Sequence, residues 1–159
     1  MIRRPPRSTL SSSSAASDVY KRQHRDVVAV IHTHSHADHF AGVFGVISPE
    51  QAEKGSIKIV APEHFVDESL SENVIAGNAM GRRATYMYGN LLEPSETGFV
   101  STGLGAALSL GTTGFAVPND TIKETGETRI IDGIEFEFQM TPGTEAPAEF
   151  VNFLPQFSA

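Results

Sequence analysis

The segment IHTHSHADHF, residues 31–40, places four of the chain's six histidines and one aspartate within ten positions. Imidazoles and a carboxylate crowded at a strand end repel once protonated and lose hydration if buried, so the fold must gather a compensating cation there. His34 and His36 are two residues apart and leave an extended backbone on the same side, which lets them share one ion. Asp38 and His39 fall where the next helix should begin, and their adjacency aims them at a second ion beside the first. The chain has no cysteine, so any metal is held by nitrogen and oxygen, a donor set that zinc accepts. Two such ions about 3.5–4 Å apart would bring the pKa of a shared water toward about 7. His24, His32 and His64 are expected to be structural, with support of the ligands as the alternative role for His32.

The surroundings of this segment predict an α/β (α+β) chain. DVVAVIHTH is a β-branched apolar run of strand length and reads as a strand buried on both faces. ADHFAGVFGVI follows with apolar residues at helical spacing. Ser48, Pro49 and Gln51 then form the signature of a capped helix start. SIKIVAPE is a second strand, and residues 62–92 read as mostly helical with breaks at the glycines. The glycine-rich stretch 98–118 reads as a long loop with room for a strand. Asp132-Gly133 lies between two apolar runs, the strongest local hairpin signal, because both turn positions need positive φ. After it Ile134, Phe136, Phe138 and Met140 alternate with polar or small residues, giving one buried face. TPGTEAPAEF is expected to leave the sheet through a proline-glycine turn, and no internal repeat is present.

Residues 1–23 differ in kind. They hold five basic residues and one acidic, a serine run and almost no large apolar side chains, a composition that cannot offset its own ordering entropy. The segment is expected to be disordered, and it lacks the apolar stretch that an export signal needs. It resembles translated read-through of a sequencing adapter, which implies a non-native tail; residues 24–159 form the expected folded unit, a single domain by length. That unit retains only seven Lys and Arg against eighteen Asp and Glu. Such an acidic balance argues against nucleic acid as a partner. No window is apolar enough to span a bilayer.

THSHADH resembles the H-x-H-x-D-H motif of the metallo-β-lactamase superfamily, whose members are binuclear metal hydrolases with a four-layer αββα fold. THSHADHFAGVFGV, SENVIAGNAMGRRATYMYGNLL, TGLGAALSLGTTG and MTPGTEAPAEF are similar to segments of its linear alkyl sulfatase branch, which hydrolyses primary alkyl sulfates such as dodecyl sulfate. The resemblance covers residues 27–150. It implies that Glu145 takes the place of the superfamily's third histidine, so that His34, His36 and Glu145 bind one Zn2+ while Asp38 and His39 bind a second. Glu149 is the weaker candidate of that loop, with a solvated carboxylate as its alternative. Arg82 and Arg83 suit a sulfate clamp, with a solvated helix face as the alternative.

The resemblance also implies a fold truncated at both ends. The family's bridging glutamate, a later histidine and C-terminal domains lie beyond Ala159, and the parent's homodimer would form through a region absent here. The chain alone is therefore expected to be inactive. The parent would release alcohol and inorganic sulfate from an alkyl sulfate. Another hydrolase of the same fold, acting on a thioester or phosphoester, and a non-catalytic fragment are the alternatives.

Overall fold

The computed structural model describes residues 26–102 and 111–158. The expectations for residues 1–23 and for His24 lie outside the described residues. Two three-stranded sheets organise the rest. In the first, β1 (Ala29–Ile31), β2 (Lys58–Pro62) and β3 (Asp120–Ile122) run parallel in that order. In the second, β4 (Thr128–Ile131), β5 (Ile134–Met140) and β6 (Phe150–Phe153) are antiparallel.

The central strand β2 shows why the layers stack as they do. Its side chains alternate between faces. Ile59 and Ala61 face the helical elements: Ile59 packs with Val43, Ile47, Ile57 and Ala116, and Ala61 packs with Phe40 and Phe65. Val60 points the other way and joins Ile122, Ile131, Phe138 and Phe150 in a core between the two sheets. The result is a helical layer, a parallel sheet and an antiparallel sheet. β1 is covered on both sides, Val30 by the helical-side core and Ala29 and Ile31 by the inter-sheet core. Its three residues are nevertheless only half-buried, because β2 is its sole strand neighbour among the described residues.

The hairpin forms as its turn residues dictate, with Asp132 at φ 50° and Gly133 at φ 78°. Arg129 of β4 clasps Asp120 of β3, its Nε and Nη2 each 3.0 Å from the carboxylate, and so fastens one sheet to the other at their edge. The chain does not leave the sheet for good at Pro142-Gly143. It returns as β6, pairing Phe150 with Met140 and Phe153 with Glu137, because Phe150 is apolar enough to be drawn fully into the inter-sheet core.

Helical segments are shorter than the periodicity suggests. The run after the histidines is α1 (Ala37–Phe40) followed by a separate 3-10 turn at Val43–Gly45, with Gly42 between them. Helix α2 (Pro49–Glu53) carries the predicted capping box: Ser48 Oγ accepts from Gln51 N at 3.2 Å, and Gln51 Oε1 accepts from Ser48 N at 2.8 Å. Helix α3 (Phe65–Leu70) runs into a π-helical turn at Ser71–Ile75, then α4 (Gly77–Tyr88) ends at Gly89 with φ 66°. The interruption is thus the π turn; Gly81 lies inside α4 without breaking it. No residue of α4 is buried, and Ile75, Tyr86, Met87 and Leu91 are all at least 75% exposed along this flank. Within 98–102 and 111–118 there is no strand of the sheets, but Gly114 docks on the Phe44 ring so closely that a Cβ there would collide with it.

Phe138 has no exposed surface, whereas Ile130 on the neighbouring strand is 73% exposed. Phe138→Ala should therefore cost about 3–5 kcal/mol of unfolding free energy. Ile130→Ala should change it by less than about 0.5 kcal/mol. Urea titrations of the two variants against the unmodified chain measure both.

Candidate metal centre

Strand β1 ends at Ile31, and the backbone then runs into α1 through Thr33, His34, Ser35 and His36. His32 N donates to Val60 O at 2.8 Å, continuing the sheet for one more residue. At the next residue the chain meets the other sheet. Phe150 N donates to Thr33 O at 3.0 Å, and His34 and Glu149 form an antiparallel bridge. The loop joining β5 to β6 is thereby laid against the histidine segment. His36 caps α1 with an extended backbone, φ −71° and ψ 134°, so the segment is extended up to the helix as the spacing of His34 and His36 requires.

His34 is buried and His36 half-buried, whereas Asp38, His39 and Glu145 are exposed. His34, His39 and Glu145 belong to one group whose ligand atoms, one from each residue, lie within 4.8 Å of one another. The His34 and His39 rings are 4.2 Å apart and those of His34 and His36 4.9 Å. Glu145 Oε1 stands 3.8 Å from His34 Nε2 and 3.6 Å from His36 Nδ1. Asp38 lies at the margin, with Oδ2 3.5 Å from His39 Nε2. Three of the five predicted ligands, His34, His39 and Glu145, thus surround one point, with His36 beside Glu145 and Asp38 beside His39. The grouping by proximity, His34 with His39 and Glu145, differs from the division implied by resemblance, in which His39 pairs with Asp38.

The donor set fits a divalent cation. Thr33 Oγ1 lies 3.0 Å from His34 Nδ1, which leaves Nε2 as the free nitrogen. That Nε2 is buried and has no hydrogen-bond partner, a costly state for a polar atom unless a ligand completes it. Burial first, and then the neighbouring His39, hold the His34 pKa below the ordinary histidine value in spite of Glu145. The imidazole is therefore neutral at neutral pH, the form that binds metal.

Glu149 departs from the solvated reading. It is 7% exposed, and its Oε2 accepts from Glu145 N at 2.7 Å and Ala146 N at 3.1 Å. Burial raises its pKa. The two backbone donors and the imidazoles of His34 and His36 outweigh burial and leave it below the usual carboxylate range. A carboxylate four residues after Glu145 could have suggested this local loop closure, but only the bridge to His34 explains its burial.

His32 is structural in its packing. Phe65 stacks on it at 5.2 Å with 4° between the planes, and Phe40 meets it edge-on at 6.2 Å. His64 opens α3 in the left-handed region, φ 65°, with Nδ1 3.9 Å from Asp67. Arg82 and Arg83 are exposed on α4. Reading the sequence alone missed Glu72, which lies in the π turn with Oε1 3.4 Å from His36 Nε2.

Comparisons with known proteins identify the family. The sequence profile of the Metallo-beta-lactamase superfamily matches residues 9–146. A linear primary-alkylsulfatase of Pseudomonas sp. is 49% identical over 150 residues, covering 93% of this chain and 22% of that protein. The alkyl/aryl-sulfatase BDS1 of Saccharomyces cerevisiae is 44% identical over 135 residues, 85% of this chain and 21% of that one. The solved structure of the stereoselective inverting sec-alkylsulfatase Pisa1 from Pseudomonas sp. superposes with a TM-score of 0.78 at 38% identity, covering 94% of this chain and 24% of that chain. The chain thus spans less than a quarter of the length of these relatives.

Two tests follow from the packing. Removing the Glu149 carboxylate strands two backbone donors, so Glu149→Ala should cost about 1–3 kcal/mol and accelerate hydrogen exchange at the Glu145 and Ala146 amides. Burial lowers the His32 pKa to about 4 from 6.5. Between those values the unfolded chain binds the extra proton, so this contribution to stability is full above about pH 6.5 and shrinks as pH falls toward 4. Between pH 7 and pH 4 the unmodified chain should lose about 3 kcal/mol more than His32→Phe. Equal losses in urea unfolding would contradict it.

Proposed function

Because the chain belongs to the metallo-beta-lactamase superfamily, we propose that it forms the metal-binding part of a hydrolase that cleaves alkyl sulfate esters to alcohol and inorganic sulfate. The observation that carries the reading is the convergence of His34, His39 and Glu145 on one point, in a chain similar to proteins named as alkylsulfatases. The metal would be zinc and two ions would be held. His34, His36 and Glu145 take the first, and Asp38 and His39 take the second. That division rests on the resemblance, since by proximity His39 groups with His34 and Glu145.

Bound there, the ions supply Lewis acidity to water and to the sulfate oxygens. The side chains do the rest of the positioning. Neutral His34 offers Nε2 because Thr33 occupies the Nδ1 side. Glu145 brings negative charge against two imidazoles, which offsets the charge of a dication. Glu149 holds the Glu145 backbone, so the ligand loop keeps its shape without metal. The acidic balance of residues 24–159 suits a small substrate anion better than a polyanion, since anion capture falls to the ions instead of a basic surface. Assembly of the longer protein as a homodimer is part of the proposal and rests on the resemblance alone.

The test is sulfate release from dodecyl sulfate by the longer, zinc-loaded protein that carries this segment. Release should stop on exhaustive chelation, return with zinc, and fall to background in Asp38→Ala and in His34→Ala. Turnover that survives chelation would overturn the metal assignment. Cleavage of a thioester or phosphoester with no sulfate release would overturn the substrate class.

A further inference from the structure

We propose that Glu72 is a positioning residue for the metal centre: its carboxylate holds the Nε2–H of His36 and so presents Nδ1 as the ligand atom. The inference rests on the metal reading above and adds a residue and a coordination mode to it. His36 has its two ring nitrogens facing two different carboxylates. Nε2 is 3.4 Å from Glu72 Oε1, and Nδ1 is 3.6 Å from Glu145 Oε1. Glu145 belongs to the ligand group with His34 and His39, and Glu72 does not. A neutral imidazole carries one proton, and each nitrogen has one role. Proton on Nε2 toward Glu72 leaves the Nδ1 lone pair directed to the side where the ligands gather. His34 is set the opposite way, with Thr33 at Nδ1 and Nε2 inward. Two histidines on the same side of an extended segment can thus approach one point through different nitrogens.

The local fold explains how a residue so distant in sequence arrives there. Phe65 is anchored against His32 and Phe40 at the end of β1, which fixes the start of α3 beside the histidine segment. Directly after Leu70 the helix widens: Ala76 N donates to Ser71 O at 2.9 Å, the five-residue spacing of a π turn. Asn73 Nδ2 donates to Ser69 O at 2.8 Å and holds this turn. Isolated π turns cost stability relative to a continuous α-helix and concentrate at functional sites. Glu72, the second residue of this turn, stands on the His36 side with its side chain only 25% exposed. A carboxylate on the distal nitrogen of a ligating histidine fixes the tautomer and strengthens the ligand.

The experiment uses the 159-residue chain with labelled histidine. Long-range proton–nitrogen correlation at pH 8, without metal, reads the His36 tautomer, and zinc titration against a competing chelator reads affinity. The unmodified chain should show His36 protonated on Nε2. Glu72→Leu should abolish that preference and weaken zinc binding about 10–100-fold. Glu72→Gln, whose amide oxygen still accepts, should retain more of both and guards against a folding defect in the leucine variant. A tautomer indifferent to Glu72→Leu overturns the assignment, and so does a shifted tautomer with undiminished affinity. If the unmodified chain takes no zinc, or binds it as tightly as His34→Ala does, the metal reading fails while the tautomer still decides the role of Glu72.

Discussion

The structure turns on a short crossing of two backbones, where Thr33 and His34 meet Glu149 and Phe150. On one side of that crossing the parallel sheet ends, and on the other the second sheet begins its last strand. Phe150 sits with Val60, Ile122 and Phe138 in the apolar core between the sheets, so hydrophobic burial supplies the force that closes the crossing. The polar consequence is that Glu145 is delivered to His34 and His36. A ligand set split between distant parts of the chain needs such a fixed junction, because metal coordination tolerates little positional slack.

Around this junction the charge pattern is ordered by depth. Glu149, the more buried carboxylate, spends its oxygens on backbone N–H groups, and Glu145, the more exposed one, faces the imidazoles. Two carboxylates four residues apart thus take different surroundings, one tied to the backbone and the other turned to the imidazoles. His32 and His34 each have a buried Nε2 without a hydrogen-bond partner, but His32 is enclosed by Phe40 and Phe65, whereas the His34 Nε2 lies 3.8 Å from Glu145 Oε1.

Much of this was legible from residue order because it is local. Ligand spacing in 34–39, the Ser48 capping box and the Asp132-Gly133 turn each depend on residues a few positions apart. The parts that were not legible are products of packing. Glu72 stands beside His36 because α3 is anchored by Phe65 against the end of β1, a packing contact that no periodicity of SENVI announces. β6 escaped notice because FVNF is short and follows two prolines in TPGTEAPAEF, and it is fixed by Phe150 finding the inter-sheet core. Glu149 looks solvated in a polar loop, and its burial follows from a bridge to a histidine just beyond the end of β1.

The uncovered flank around α4 has a practical corollary. Ile75, Tyr86, Met87 and Leu91 stand open to water on and beside a helix with no fully buried residue, so molecules of this chain have a ready means of sticking to one another. What keeps them apart is the net charge of −7 at neutral pH. That repulsion vanishes near the isoelectric point of about 5.3, so mildly acidic buffers are where colloidal dispersion of the polypeptide gives way to clumping.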